Sequence, residues 1–203
     1  IFMQKLKFIL SLSLLILFFT PGVKAENKAG VELGWAHLPG FEDEVADTAQ
    51  ALANLLGQTV TYSSDTGAAI LRGYYRTDIN NNGAVELGGF LSLTDVETVF
   101  SIPGASITIA QDIIGFDLSY IHEAADGVGI KLGLHMSDVD SESTVTLSGQ
   151  SAAVTASDSG SGILIGILST DKSSQFNYGL TYYDALGGVD DSDATLLSFS
   201  YQF

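Results

Sequence analysis

Short segments of period two, joined by connections that alternate long and short, constrain this chain more than anything else in it. Eight segments of 9 to 11 residues carry strand alternation: 29–38, 67–77, 84–93, 111–121, 128–137, 161–170, 175–183 and 193–203. The last one, DATLLSFSYQF, puts Leu197, Phe199, Tyr201 and Phe203 on one parity and Leu196, Ser198, Ser200 and Gln202 on the other. Such a strand has one large apolar face and one mostly small, polar face. The connections run 28, 6, 17, 6, 23, 4 and 9 residues. A sandwich has no reason to keep that rhythm. An up-and-down barrel across an outer membrane does, because its outer loops are long and its periplasmic turns short. Strands of this length, tilted, cross a bilayer. The predicted fold is therefore all-β, an eight-stranded antiparallel transmembrane barrel, with ten strands as the lesser alternative.

Parity also assigns the faces. Val31, Leu33 and Trp35 face lipid, which turns Glu32 inward. Ala69, Leu71, Gly73 and Tyr75 outward turn Arg72 and Arg76 inward; Val85, Leu87 and Leu91 outward turn Glu86 inward. Ile114, Phe116, Leu118 and Tyr120 outward place Asp117 inside, and Ile130, Leu132, Leu134 and Met136 outward place Lys131 and His135 inside. Ile163–Leu168 is apolar on both parities and has no assignable face. A cation on the lipid face costs about 2–4 kcal/mol at mid-membrane, so charge belongs in the lumen. An eight-stranded barrel is only wide enough to be filled by side chains. An ionic core is expected, with Arg72 and Arg76 pairing Glu32, Glu86 or Asp117. The alternative use of the same residues is the lining of a narrow gated pore.

The first 25 residues read as a secretory signal peptide. Lys5 and Lys7 precede an apolar run, Phe8–Phe19, and Val23-Lys24-Ala25 has small-x-small form. The run is short for a membrane anchor. Cleavage after Ala25 would leave residues 26–203 as one barrel domain, with Met3 as the expected start of the gene. The whole chain carries a formal charge of −16; the signal holds three of its eight basic residues and no acid. With no basic patch, nucleic acid is not an expected partner. With no cysteine, the fold needs no disulfide.

The strands Val31-Glu32-Leu33-Gly34-Trp35 and Val85-Glu86-Leu87-Gly88-Gly89, the acidic last loop and the final aromatic strand resemble the small OmpA/OmpX-type outer-membrane barrels over nearly the whole mature chain. In that family the terminal aromatic strand is read by the machinery that inserts barrels. The resemblance implies that Phe199, Tyr201 and Phe203 form this assembly signal. It also implies a sheet protruding above the membrane and used in surface adhesion. No peptidoglycan-binding domain of the OmpA kind is expected to follow.

The long connections hold the remaining candidates. Phe41, Val45, Ala49, Leu52 and Leu56 follow helical spacing, acids crowd the first turns and Gly57 suits a C-cap. A short amphipathic helix is predicted in the first outer loop, as a lid on the barrel mouth or resting on the outer leaflet. Val96–Ile102 and Ala105–Ala110 flank Pro103-Gly104, and Thr144–Leu147 and Ala152–Thr155 flank Ser148-Gly149-Gln150. Both read as hairpins extending the wall; two loose polar loops are the alternative. Asp78–Gly83, DINNNG, starts like a calcium loop, but its twelfth position is Gly89 rather than Glu, so a plain turn is expected. The acids Asp138, Asp140, Glu142, Asp190, Asp191 and Asp193 suit a solvated surface or divalent cations bridging lipopolysaccharide. His135-Met136-Ser137 has a spacing seen in lipid deacylases, yet both polar side chains point inward and the surrounding residues do not resemble that family.

The chain is thus expected in the outer membrane of a Gram-negative-type bacterium, as a monomer without cofactor, metal or enzymatic activity. Its expected role is structural or adhesin-like, through acidic outer loops. A narrow channel is the alternative, and an envelope-lipid enzyme a more distant one. Its expected partners are membrane lipid and lipopolysaccharide, the barrel-assembly machinery, and an extracellular protein met by the outer loops.

Overall fold

The computed structural model describes residues 27–171, 174–188 and 193–203, without the side chains of 39–44. The signal segment, Lys172, the Phe41 side chain, Asp190 and Asp191 lie outside the described residues. Among the described residues ten strands and one α-helix follow in order: β1 (Asn27–His37), α1 (Pro39–Leu56), β2 (Thr61–Ser64), β3 (Gly67–Asn80), β4 (Gly83–Ser92), β5 (Val96–Ile102), β6 (Ala105–Ala125), β7 (Val128–Leu147), β8 (Gln150–Ser169), β9 (Phe176–Tyr183) and β10 (Ala194–Gln202). No helix among the described residues is long and apolar enough to cross a membrane.

Eight of the strands close a ring in the order β1-β3-β4-β6-β7-β8-β9-β10, and β10 pairs back with β1. Every pairing in the ring is antiparallel. β2 and β5 stand outside it. The barrel is therefore eight-stranded, not ten-stranded. The outward parity forms an apolar belt: Leu33, Trp35, Phe116, Leu118, Leu132, Leu134, Met136, Leu180 and Phe199 are all exposed. The assignment that parity left open falls the same way, with Ile163, Ile165 and Ile167 exposed and Leu164 buried in the lumen. Leu91 shares the outward parity yet is buried. Its cross-strand neighbours are Leu71 and Ile114, two large side chains that flank it on the same face.

β6, β7 and β8 are 20 or 21 residues long, twice what the belt needs. Their outer halves continue upward without a break and add β5 and then β2, giving a protruding sheet in the order β2-β5-β6-β7-β8. Turn chemistry sets both hairpins. Pro103 fixes the first corner of its turn, and Gly104, at φ 83°, takes the second. Ser148 and Gly149 have φ of 49° and 83°, the two positive angles of a type I′ turn, whose twist matches the strands.

α1 starts with Pro39 in its first turn and ends on Gly57, left-handed at φ 64°, whose N–H donates to the Ala53 carbonyl. Part of its apolar stripe packs on the protruding sheet. Val45 and Ala49 pack with Phe100 of β5, backed by Ile107 and Ile109 of β6. These face the same way as Ile113 lower on β6, so the helix lies on the inward side of the protruding sheet.

Candidate functional site

The lumen is built in two layers. The inward parities of β1, β3, β4, β6 and β7 bring six charges together in the lower layer. The Arg72 guanidinium reaches three acids: Nε and Nη2 donate to Asp117 at 2.8 and 2.6 Å, Nη2 to Glu86 at 2.7 Å and Nη1 to Glu32 at 2.9 Å. Arg76 Nε and Nη2 donate to Glu86 Oε2 at 2.9 and 2.6 Å. Lys131 Nζ lies 3.0 Å from Glu86 and 3.8 Å from Asp117. Three cations thus face three acids, and both arginines flank the Tyr74 ring at 5.5 and 5.4 Å. The Arg72 and Asp117 side chains are 1% and 0% exposed. At that depth each ion is tolerable only because the others neutralise and hydrogen-bond it. Gly88 makes the arrangement fit, since a Cβ there would land on the Arg72 guanidinium. An inward glycine two residues from the inward Glu86, in register with Tyr74 and Asp117, was the unused signal in the sequence.

His135 shares the lumen but not the ion pairs. It sits higher, where its Nε2–H donates to the Asp184 carbonyl at 2.6 Å and its ring meets Tyr183 edge-on at 5.5 Å. Ser137, two residues on, accepts from the Gly187 N–H at 2.8 Å. Both side chains therefore tie down the last outer connection, whose 3₁₀ turn Leu186–Gly188 enters the barrel mouth. Asp193 holds that connection from the other end, accepting from Tyr182 Oη at 2.6 Å and from the Ala185 N–H at 3.1 Å. Around Leu186 an apolar layer spans the lumen: Leu38, Ile70, Phe90, Ile113, Leu164 and Leu196. This layer had no counterpart in the sequence reading, because its members come from seven separate segments and no local pattern joins them.

On the opposite, outward surface the final strand presents its aromatics in one row. Phe176 and Tyr201 rings lie 5.2 Å apart, and Tyr201 and Phe203 rings 6.0 Å apart. At the short-turn end, Asn80 Oδ1 accepts from the Asn82 N–H at 3.0 Å, which commits that side chain to the turn.

Above the belt the outward face changes character. Asp138, Asp140 and Glu142 of β7 continue the parity of Leu134 and Met136, and Asp112 of β6 stands directly opposite Asp140. Asp95, Asp112, Asp140 and Glu142 flank a trough of about 580 Å³, whose far wall is Thr155 and Ser157 of β8. Among the described residues no group of three or more His, Cys, Asp or Glu is arranged to hold a metal ion.

A closed antiparallel ring with an apolar belt outside and charge inside is a transmembrane barrel, and in its strand number and short-turn, long-loop asymmetry it is an outer-membrane barrel of the Gram-negative type. The chain has the fold of the small OmpA/OmpX-type barrels. It superposes on Ail, the attachment invasion locus protein of Yersinia pestis, with a TM-score of 0.53 at 13% identity, over 88% of this chain and 99% of that one. The same protein in complex with the heparin analogue sucrose octasulfate gives 0.51, again at 13% identity and with the same coverage. Neisserial surface protein A is a looser likeness, with a TM-score of 0.37 at 16% identity over 86% of this chain and 95% of that one. No family model and no curated protein matches the chain.

Proposed function

We propose that this chain is a non-enzymatic surface-interaction protein, adhesin-like, whose working part is the protruding acidic sheet. The observation that carries this reading is a contrast in construction. The lumen is crossed by an ionic layer and then by an apolar layer, while the 17- and 23-residue connections, 94–110 and 138–160, are spent largely on ordered strands beyond the belt. A barrel made for solute passage gains nothing from that extension. His135 and Ser137 are each engaged by backbone groups of the last outer connection, which supports a structural use for both. The lumen charges Glu32, Arg72, Arg76, Glu86, Asp117 and Lys131 then serve as a plug.

The same reading takes residues 1–25 as a cleaved signal and 26–203 as the mature barrel. It takes Phe199, Tyr201 and Phe203 as the signal to the assembly machinery, and membrane lipid with lipopolysaccharide as the surroundings of a monomer. Two measurements on the full chain test it. Deleting 96–110 should abolish attachment of expressing cells to a target-cell surface while heat-modifiable gel migration persists. Planar-bilayer recordings should show no openings. Reproducible openings that Arg72→Ala enlarges would move the function into the lumen and overturn the reading.

A further inference from the structure

The protruding sheet has two edges, and they are built differently. β2 is four residues long, which is one of the ways natural sheets blunt an edge. β8 is not blunted. It pairs with β9 only over Leu164–Leu168, so among the described residues no strand covers its outer side from Gln150 to Gly162. That stretch has no proline and no lysine, its single charge is Asp158 on the inward parity, and its register with β7 runs from Val128 to Leu147 without a bulge. Its direction is fixed as well. The Ile163 carbonyl accepts from the Asp184 N–H on the β9 side at 3.0 Å. In a regular strand alternate residues point their N–H and C=O to the same side. Thr155, Ser157 and Ser159 therefore aim their backbone groups at the open side.

Charge then selects what can sit there. β2, β5 and the outer parts of β6, β7 and β8 contain no lysine or arginine. They carry Glu97, Asp112, Asp138, Asp140, Glu142 and Asp158. On the outward face the edge strand contributes only small side chains, Thr155, Ser157 and Ser159, so the trough behind it lies open to whatever pairs with β8. A strand added at this edge would stand two strand spacings, roughly 10 Å, from β7. Long cationic side chains at alternate positions would reach over the small residues toward Asp140 and Glu142.

We infer that the β8 edge docks an extended polypeptide segment carrying lysine or arginine at alternate positions: backbone pairing supplies the contact and the acidic trough selects the charge. The inference rests on the surface-interaction reading and names its partner class. It sets this chain apart from Ail, whose structure holds a sulfated heparin analogue. The only charged groups a polyanion would meet here are carboxylates.

The test uses the full chain extracted from the outer membrane in detergent. Its probes are a fluorescein-labelled twelve-residue peptide of alternating lysine and threonine, a glutamate–threonine counterpart and a labelled heparin fragment, each read by anisotropy. The lysine peptide should bind and the other two should not. Ser157→Pro removes one edge donor while leaving the β7 ladder intact, and should weaken binding about tenfold, the worth of a lost hydrogen bond and a disturbed edge. D138N/D140N/E142Q should weaken it by about tenfold or more. Heat-modifiable migration shows that each variant is folded. Equal binding of the lysine and glutamate peptides overturns the inference, and so does preferential binding of the heparin fragment. Lysine-peptide binding that Ser157→Pro leaves unchanged overturns the edge as the site. Any of these can occur while deletion of 96–110 still abolishes cell attachment, so this inference can fail without the surface-interaction reading.

Discussion

β6 and β7 each pass through two worlds, and the lower and upper halves of the same strands follow opposite rules for charge. Below Ile114 on β6 and Asp138 on β7, the outward side chains are Phe116, Leu118, Leu132 and Leu134, and the charges Asp117 and Lys131 point in. Above that level the outward side chains are Asp112, Asp138, Asp140 and Glu142, and the inward ones include Ile107, Ile109 and Val139. The backbone register runs on through the change without a break. What lies outside the sheet decides which parity takes the charge: hydrocarbon below, water above. In the lower half a charge must find its partners inside a filled barrel. In the upper half it needs none, so its placement is open to be set by a ligand.

The sharpest way to break this contrast is to remove one charge from each half. Arg72→Ala leaves Glu32, Glu86 and Asp117 facing only Arg76 and Lys131. Removing one partner of a buried ionic group costs about 3–5 kcal/mol. Urea unfolding in lipid vesicles should therefore show a large loss of stability, or a barrel that no longer folds. Glu142→Ala in the protruding sheet should change stability by no more than about 0.5 kcal/mol, as exposed substitutions usually do. Equal costs at the two sites would mean that the lumen cluster is as well hydrated as the surface, and the two-layer plug would have to be abandoned.

Adding a charge sharpens the boundary from the other side. Leu132 of β7 sits in the belt, 51% exposed, between Tyr120 and Ile165. Leu132→Arg puts a cation into hydrocarbon at a cost of about 2–4 kcal/mol if the position lies near mid-membrane. Val154 of β8 is even more exposed, at 71%, but stands above the belt. Val154→Arg should move stability by less than about 0.5 kcal/mol. The pair maps the membrane level in vesicle unfolding. A penalty at Val154 comparable to that at Leu132 would place the protruding sheet in lipid and contradict the contrast.

How much of this was legible in the sequence follows from the same physics. β1 and the lower part of β7 were readable because their two faces meet unlike media, so Trp35 and Glu32, or Leu132 and Lys131, had to alternate. Ile163–Leu168 was not readable, since Leu164 packs into an apolar layer on one side while Ile163 and Ile165 meet lipid on the other. Thr61–Ser64 was missed because four residues hold too little alternation to register, and β2 exists only by pairing with β5. The helix was legible, but its seat on Phe100 and Ile107 was not. Likewise, nothing local in His135 announces that its partner is the carbonyl of Asp184, 49 residues on. Contacts between distant segments are set by closure of the ring, and closure is not written in any one window of the chain.

The smallest effect is also the one that tests what the acidic face is for. Asp112 and Asp140 stand directly opposite each other on neighbouring strands. Like charges so placed are destabilising, by roughly 0.2–1 kcal/mol for a cross-strand pair. Asp140→Asn should therefore raise stability slightly at low salt, and the gain should fade as salt shortens the Debye length to about 3 Å near 1 M. A loss of stability instead would show that Asp140 is held in a favourable network across the trough, and the face would then be structural. A gain in stability together with weaker lysine-peptide binding separates the two uses of charge in this molecule. The lumen cluster would be kept because the fold needs it, and the outer acids in spite of the fold, for the partner they select.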